Sequence, residues 1–297
     1  MITTTNLTKK FDGVCALENV TCTIQNGCIY GMVGSNGAGK STFLRVLSGV
    51  YKADGGEALL DGEPIWENPS TKAKIAYVPD ELYYLPAANL MRMGKLYASL
   101  YPDFDWQTYK TLAKDLDLPT DRGINTFSKG MRRQALTILA LSSKPEYIFF
   151  DETFDGLDPV MRSYIKKLIC QDVVDRGATA IITSHSLREL EDTCDQLSLL
   201  HKGGLILESD VQRLKTAQYK IQIAFSEEYD KSKFEGIDIV HFVKHGSVSN
   251  MIVRGDKQET VTRLSAMGPV LLDVLPLTLE EVFTYEMEAL GYSFNLD

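Results

Sequence analysis

The chain has 297 residues, an ordinary globular composition of 44% hydrophobic and 24% charged residues, and a net charge of −9. That length accommodates one large domain or two smaller ones, and the negative charge argues against nucleic acid as the main partner. No apolar stretch approaches the ~18 residues needed to span a bilayer, and the N-terminal MITTTNLTKKF lacks the apolar centre of a signal peptide; the expectation is a protein of the cytoplasm, alone or on the inner face of a membrane.

The first 30 or so residues alternate apolar and polar positions, as in ITTTNL and VTCTI, which predicts antiparallel strands with a turn at Asp12-Gly13. CIYGMVG (28–34) is a strand-like apolar run and TFLRVLSGV (42–50) is helix-like. Between and overlapping them lies GSNGAGKST (34–42), which matches the G-x-x-x-x-G-K-[ST] pattern of phosphate-binding loops. Glycines let the backbone wrap tightly around a phosphate chain. The N–H groups of Ser35, Asn36, Gly37, Ala38 and Gly39 and the following helix N-terminus then point at the negative charge. Lys40 reaches the outer phosphates, and Ser41, followed by Thr42, offers a hydroxyl to Mg²⁺.

After this helix, turns are expected at Asp54-Gly55-Gly56 and Asp61-Gly62, the second between short strands at Ala58–Leu60 and Pro64–Trp66. KIAYVP (74–79) reads as another strand. From about 83 to 145 helical periodicity dominates, over Asn89–Leu100, Asp105–Leu116 and Ser128–Ser143, with Pro145 as the stop. YIFFD (147–151) is a continuous apolar run of the kind found in parallel strands buried on both faces, and ATAIITS (178–184) reads as a second buried strand. A helix over Pro159–Val174, with proline at its start, separates them. A short helix over Leu187–Cys194 and the strand-like QLSLLHKGGLILE follow. Near Thr216 the pattern changes to YKIQIAF, DIVHFV, SVSNMIV and VLLDVL as strands, with KQETVTRLSAM and LTLEEVFTYEMEAL as amphipathic helices. The boundaries expected are thus 1–215 for a nucleotide-binding domain, with a helical insert at about 83–145, and 216–297 for a small α+β module. The five cysteines are odd in number and fit no zinc or redox spacing; buried or half-buried thiols are expected. His241 and His245 fall on a strand, where that spacing separates them by about 13 Å, too far for a metal pair.

In open α/β sheets, ligands sit beyond the carboxyl ends of the strands. Asp151 and Glu152 end YIFFD, His185 follows ATAIITS, and Asp80 follows KIAYVP. One acidic residue there can hold Mg²⁺ and a second can orient the water that attacks a γ-phosphate. Ser128 precedes the helix of FSKGMRRQ and reads locally as an N-cap.

Taken in order, GSNGAGKST, a helical insert, FSKGM (127–131), YIFFDE (147–152), DGLDP (155–159) and ITSH (182–185) resemble the ATP-binding subunit of an ABC transporter over residues 1 to about 215. The resemblance implies an α/β phosphate-loop NTPase fold with an antiparallel β subdomain and a helical insert. It also implies roles for single residues: Phe11 stacking on adenine; Lys40, Ser41 and Thr42 on phosphates and Mg²⁺; Asp151 supporting Mg²⁺; Glu152 as general base; His185 as the switch sensing the γ-phosphate. Gly156, Leu157 and Asp158 would communicate across a head-to-tail homodimer, in which Ser128 and Gly130 close over the ATP of the other subunit. A transmembrane permease subunit would be the second partner, with Tyr83, Tyr84, Leu85, Met91 and Met93 near its groove.

Three departures from the family pattern stand out. Asp80 replaces the usual glutamine and is expected as a metal ligand, shorter by one methylene and charged. Lys129 and Met131 alter the LSGGQ signature. Thr153-Phe154-Asp155 replaces the usual Pro-Thr-Ser. FSKGMRRQ, YPDFD (101–105) and the strand-rich tail are similar to a subgroup of bacterial drug or peptide exporters with separate membrane subunits; YVPDELYY points within it to exporters of amphipathic cytolytic peptides such as phenol-soluble modulins. A soluble ATPase of DNA repair or translation is disfavoured, since long coiled coils and a second cassette are missing; a regulatory ATPase uncoupled from transport is the remaining alternative.

Overall fold

The computed structural model describes residues 1–211, 213, 218–275 and 277–289, the last five in backbone alone. The chain divides into two compact units, 1–208 and 209–297. The boundary expected at 215/216 lies outside the described residues.

The first unit opens on β1 (Ile2–Phe11) and β2 (Val14–Ile24), joined by a tight turn in which Asp12 and Gly13 both have positive φ. With β4 (Gly55–Leu60) and β5 (Glu63–Pro64) they make an antiparallel sheet in the order β2-β1-β4-β5. The turn expected at 54–56 is instead the start of β4, because Asp54 is already held to β1 by its N–H on the Thr8 carbonyl and its carboxylate on the Lys10 N–H.

The second sheet has the order β10-β9-β3-β8-β7-β6, formed by β3 (Ile29–Val33), β6 (Ile75–Val78), β7 (Tyr147–Phe150), β8 (Thr179–Ser184), β9 (Gln196–His201) and β10 (Gly204–Asp210). The β6–β7, β7–β8, β8–β3 and β3–β9 pairs are parallel. Every residue of β3, β7 and β8 is buried; β3 and β7 are unbroken apolar runs, and in β8 the hydroxyls of Thr179, Thr183 and Ser184 are hydrogen-bonded. Helix α1 (Lys40–Leu47) follows β3 and buries Phe43, Leu44, Val46 and Leu47 in the same core as Tyr30, Met32, Phe149 and Ile181. A single turn, α2 (Pro69–Lys72), precedes β6.

Between β6 and β7 lie α3 (Leu90–Leu100), α4 (Trp106–Asp115) and α5 (Lys129–Ser142). Their caps are those the residue types call for: Asn89, Asp105 and Ser128 each accept a backbone N–H of the first turn. Helix α5 packs against α3, α4, α6 and β6 and is buried at every position from Arg133 to Ser142, not along one stripe. Helix α6 (Pro159–Arg176) is capped by Asp158, starts on proline and ends at Gly177 in the left-handed region. Helix α7 is one turn, Leu187–Leu190, shorter than the periodicity predicts. Asp195 exchanges bonds with the Ile29 backbone through its own N–H and its carboxylate, and this contact draws the chain out of the helix and into β9.

In the second unit β11 (Gln218–Ala224), β12 (Ile239–His245), β13 (Val248–Arg254) and β14 (Leu271–Leu275) form an antiparallel sheet ordered β12-β13-β11-β14. Helices α8 (Lys257–Ser265) and α9 (Leu279–Ala289) complete it. The strand order is that of a split β-α-β arrangement, with the first crossover helix reduced to a turn at Lys231–Phe234. Its core is built on Ile221, Ile223, Phe225, Phe234, Met251 and Val253. His241 and His245 lie on β12 as expected.

All five cysteines are free, Cys22 and Cys194 buried and Cys15, Cys28 and Cys170 half-buried. Burial pushes the Cys22 and Cys28 thiols up to about 11, so these thiols stay protonated at neutral pH and are poor nucleophiles.

Candidate functional site

The registers Val33↔Ser184, Ile182↔Phe150 and Phe150↔Val78 bring the carboxyl ends of β3, β8, β7 and β6 to one edge of the sheet. Gly34, His185 and Asp151 therefore follow directly on adjacent strand ends, although 151 positions separate the first two in sequence, and Asp80 lies two residues past the end of β6. His185, Asp151 and Asp80 each follow a strand-like run, so a pattern ending in a polar residue was enough to find them; Gly34 was found through the glycine-loop motif that it opens.

The loop after β3 turns back on itself before α1. Gly39, the residue before the helix, has φ 108° and ψ 1°, a conformation that a side chain resists. A Cβ there would also lie 2.5 Å from the Ala16 carbonyl oxygen. The loop thus needs glycine at 39 for two independent reasons. Lys40 is buried and folds back over the loop. Its Nζ donates to the Gly34 carbonyl at 2.6 Å and the Ser35 carbonyl at 3.2 Å, and pairs with Glu152 Oε1 at 3.0 Å.

Asp151 is fully buried and accepts three hydroxyls: Ser41 at 3.0 Å and Thr183 at 2.8 Å on Oδ1, and Tyr77 at 3.0 Å on Oδ2. Burial and the Asp151 charge hold the Tyr77 phenol well above its usual range, so it remains a donor. Ser41 and Asp151 present hard oxygens in contact with each other, the donor set that suits Mg²⁺.

Glu152 has φ 47°. Its N–H donates to Thr183 Oγ1 at 3.0 Å, and its carboxylate bridges Lys40 on one side and His185 Nδ1, at 3.1 Å, on the other. Asp155 Oδ1 stands 3.9 Å from the same ring nitrogen. The hydrogen bond to Glu152 raises the His185 pKa above its ordinary value of 6.5, against a smaller opposing effect of partial burial. The imidazolium pairing therefore contributes fully below 6.5 and is lost as pH rises through the raised value. In ¹H–¹⁵N spectra of the nucleotide-free chain His185 is expected to titrate above 6.5, and Glu152→Gln is expected to move its midpoint down. An unmoved midpoint would show that Glu152 is not the partner.

The structure thus gathers Lys40, Ser41, Asp151, Glu152 and His185 into one connected cluster. Asp80 stands apart from it: its carboxylate, half exposed, is held by Arg133 at 2.6 Å. Phe11 is 38% exposed, its ring edge-on to Tyr51 at 5.1 Å and under the Lys9 ammonium. This is a half-open ring and not a core one. Ser128 Oγ is occupied by the Met131 N–H, and Asp158 Oδ1 by the Met161 N–H. Gly130 lies against the segment before α6; a Cβ on it would stand 3.3 Å from the Gly156 carbonyl. Arg133, Thr183 and Tyr77 were not singled out by sequence reasoning. Thr183 had a signal, a hydroxyl near the carboxyl end of a buried strand; Arg133 and Tyr77 had none, because neither spacing nor periodicity names a partner on another element.

A glycine-bound loop running into a helix, a buried lysine over it, and two carboxylates just past the end of β7, two strands away in the same sheet, define a phosphate-loop nucleotide-binding protein. The sequence profile of the ABC transporter family matches residues 17–155. The chain is 30% identical over 283 residues to the ABC transporter ATP-binding protein YtrB of Bacillus subtilis, spanning 95% of this chain and 97% of that one. It is 32% identical over 216 residues to the linearmycin resistance ATP-binding protein LnrL of the same organism, 69% and 68% of the two chains. Among solved structures, a dimeric post-hydrolysis ATP-binding cassette bound to ADP and Pi superposes with a TM-score of 0.64 at 20% identity, covering 71% of this chain and 99% of that one. The chain belongs to the ATP-binding proteins of ABC transporters.

Proposed function

We propose that the chain is the ATP-hydrolysing motor of an exporter, working as a head-to-tail homodimer on the cytoplasmic face of the membrane beneath a separate transmembrane permease subunit. The connected cluster of Lys40, Ser41, Asp151, Glu152 and His185 carries this reading. ATP would lie along the loop of Ser35, Asn36, Gly37, Ala38 and Gly39, with Thr42 beside it and its adenine against the open face of Phe11. Lys40 would exchange its loop carbonyls for the outer phosphates. Ser41 and Asp151 would hold Mg²⁺, which neutralises phosphate charge when bound. Glu152 takes the proton of the attacking water as its oxygen bonds to the γ-phosphorus, and the bridging oxygen leaves with its electron pair on ADP. His185, held by Glu152, meets the γ-phosphate and releases it as phosphate departs. Ser128 and Gly130, at the start of α5, would complete the ATP site of the second copy, where a helix N-terminus suits an anion, and Asp158 would signal between the two sites.

The cargo proposed is a drug-like or peptide-like amphipathic compound, in keeping with the resistance protein among the relatives. The permease would seat near a 290 Å³ cavity lined by Tyr83, Tyr84, Leu85 and Arg132, at whose rim Tyr83 is exposed. The unit after 208 would serve as an accessory or dimerisation module. The test is capture of the tagged full-length chain from detergent-solubilised membranes. The expected result is an integral-membrane protein in stoichiometric amount and an ATPase rate stimulated by amphipathic peptides or drugs. ATPase activity with no membrane partner and no stimulation would favour a regulatory ATPase instead.

A further inference from the structure

Behind the carboxylate of Glu152 lies a buried cation with an unusual set of partners. Arg133, on α5, is 1% exposed. One terminal nitrogen donates to the Glu152 carbonyl. The other donates to Asp80 twice, to its carbonyl at 3.2 Å and to its carboxylate at 2.6 Å. Nε has no partner. The same Glu152 carbonyl also accepts the Asp155 N–H, closing the turn that follows.

We propose that Arg133 is a positioning residue for Glu152, and that Asp80 acts as its counter-ion and not as a ligand of the metal. The inference rests on the reading of Glu152 as the base. Glu152 sits in the left-handed region, which a residue with a side chain keeps only when its surroundings impose it. Thr183 holds its N–H and Arg133 its C=O, so the peptide is clamped at both ends and the carboxylate is aimed between Lys40 and His185. The planar fork of arginine reaches the Glu152 carbonyl and Asp80 together; a lysine, as a point charge, cannot span both. A buried arginine with one carboxylate and an orphaned Nε is a poor source of stability, which favours a geometric role. The link also joins three elements. Asp80 lies two residues beyond β6, Glu152 follows β7, and Arg133 lies five residues beyond Ser128 at the start of α5, so a displacement of α5 is transmitted to the general base. A misplacement of about 1 Å is enough to slow an oriented reaction about 10²-fold.

The experiment compares Arg133→Gln, Arg133→Lys, Asp80→Asn and the double variant D80N/R133Q in the full-length chain, with Glu152→Gln as reference. Expected are a kcat lower by about 10–100-fold in both arginine variants with KM for ATP within about threefold, and a smaller loss in D80N. The Mg²⁺ concentration for half-maximal activity stays unchanged in D80N. The double variant is no slower than R133Q, as coupled residues require. In nucleotide-free and metal-free protein, amide exchange over residues 151–157 speeds up in R133Q while exchange over α1 does not. A raised Mg²⁺ requirement in D80N, or losses that multiply in the double variant, would overturn the counter-ion role. If R133Q does not fold, R133K and D80N decide by the same criteria. The two possible failures separate: normal turnover by E152Q removes Glu152 as the base and the positioning role that rests on it, whereas an inactive E152Q beside an R133Q of wild-type kcat overturns the positioning role alone.

Discussion

Glu152→Gln is expected to lower ATP turnover by about 10²–10⁴-fold, the usual worth of a positioned general base, or about 3–5 kcal/mol of activation free energy. The amide keeps the shape of the side chain but cannot take the proton of the attacking water. Nucleotide binding is expected to survive, because the loop, Lys40, Ser41 and Asp151 are untouched. ATP should bind at least as tightly as before: the substitution removes a negative charge next to the γ-phosphate and frees Lys40 from its 3.0 Å pairing. The nucleotide-free protein should melt earlier, since a buried lysine loses its carboxylate partner, and MgATP should restore the difference by supplying a new anion. Turnover, nucleotide titration and melting with and without MgATP are the measurements. A variant that hydrolyses at the normal rate would exclude Glu152 as the base. A variant that cannot bind ATP would show that its main role is to shape the loop.

Gly39→Ala is expected to abolish useful ATP binding, weakening it by at least about 100-fold, equivalent to about 2.7 kcal/mol. Two effects act together. A φ of 108° is strained for alanine, by about 1–3 kcal/mol. The new methyl would also sit 2.5 Å from the Ala16 carbonyl oxygen, which belongs to the backbone of β2 and cannot swing aside. The loop must move, and the N–H groups facing the phosphates move with it. Gly37→Ala is the control. Its φ of 80° carries strain, but no atom lies within 4 Å of the added Cβ. It should lose less stability than Gly39→Ala, by several degrees in Tm at about 2–4 °C per kcal/mol. Equal melting points for the two variants would show that strain alone, and not the collision with β2, sets the requirement at 39.

The site was legible where function is written in contiguous residues. A phosphate loop is one tight turn plus a helix N-terminus, so its residues must be neighbours in the chain, and 34–42 shows them. Helix starts were legible at Asn89, Asp105 and Ser128 because a cap acts on the next two or three residues, and at Pro159 because proline suits a first turn. Buried strands were legible at 147–150 and 179–184 because burial on both faces favours apolar residues, and the hydroxyls within 179–184 are each hydrogen-bonded. Where the reading went astray, a distant contact had overruled the local pattern: α7 stops at Leu190 because Asp195 is bound to Ile29.

From the order of its residues alone, then, this chain declares a nucleotide-binding loop, the strand ends that face it, and the family in which both occur together. Packing decided what those residues touch. From its place after KIAYVP alone, Asp80 reads as a metal ligand. In the folded chain its carboxylate is taken by Arg133, 53 positions away, and the same guanidinium holds the peptide of Glu152. Periodicity and capping report interactions over a few residues, whereas strand order and side-chain pairing between elements depend on which apolar faces meet when the whole core closes.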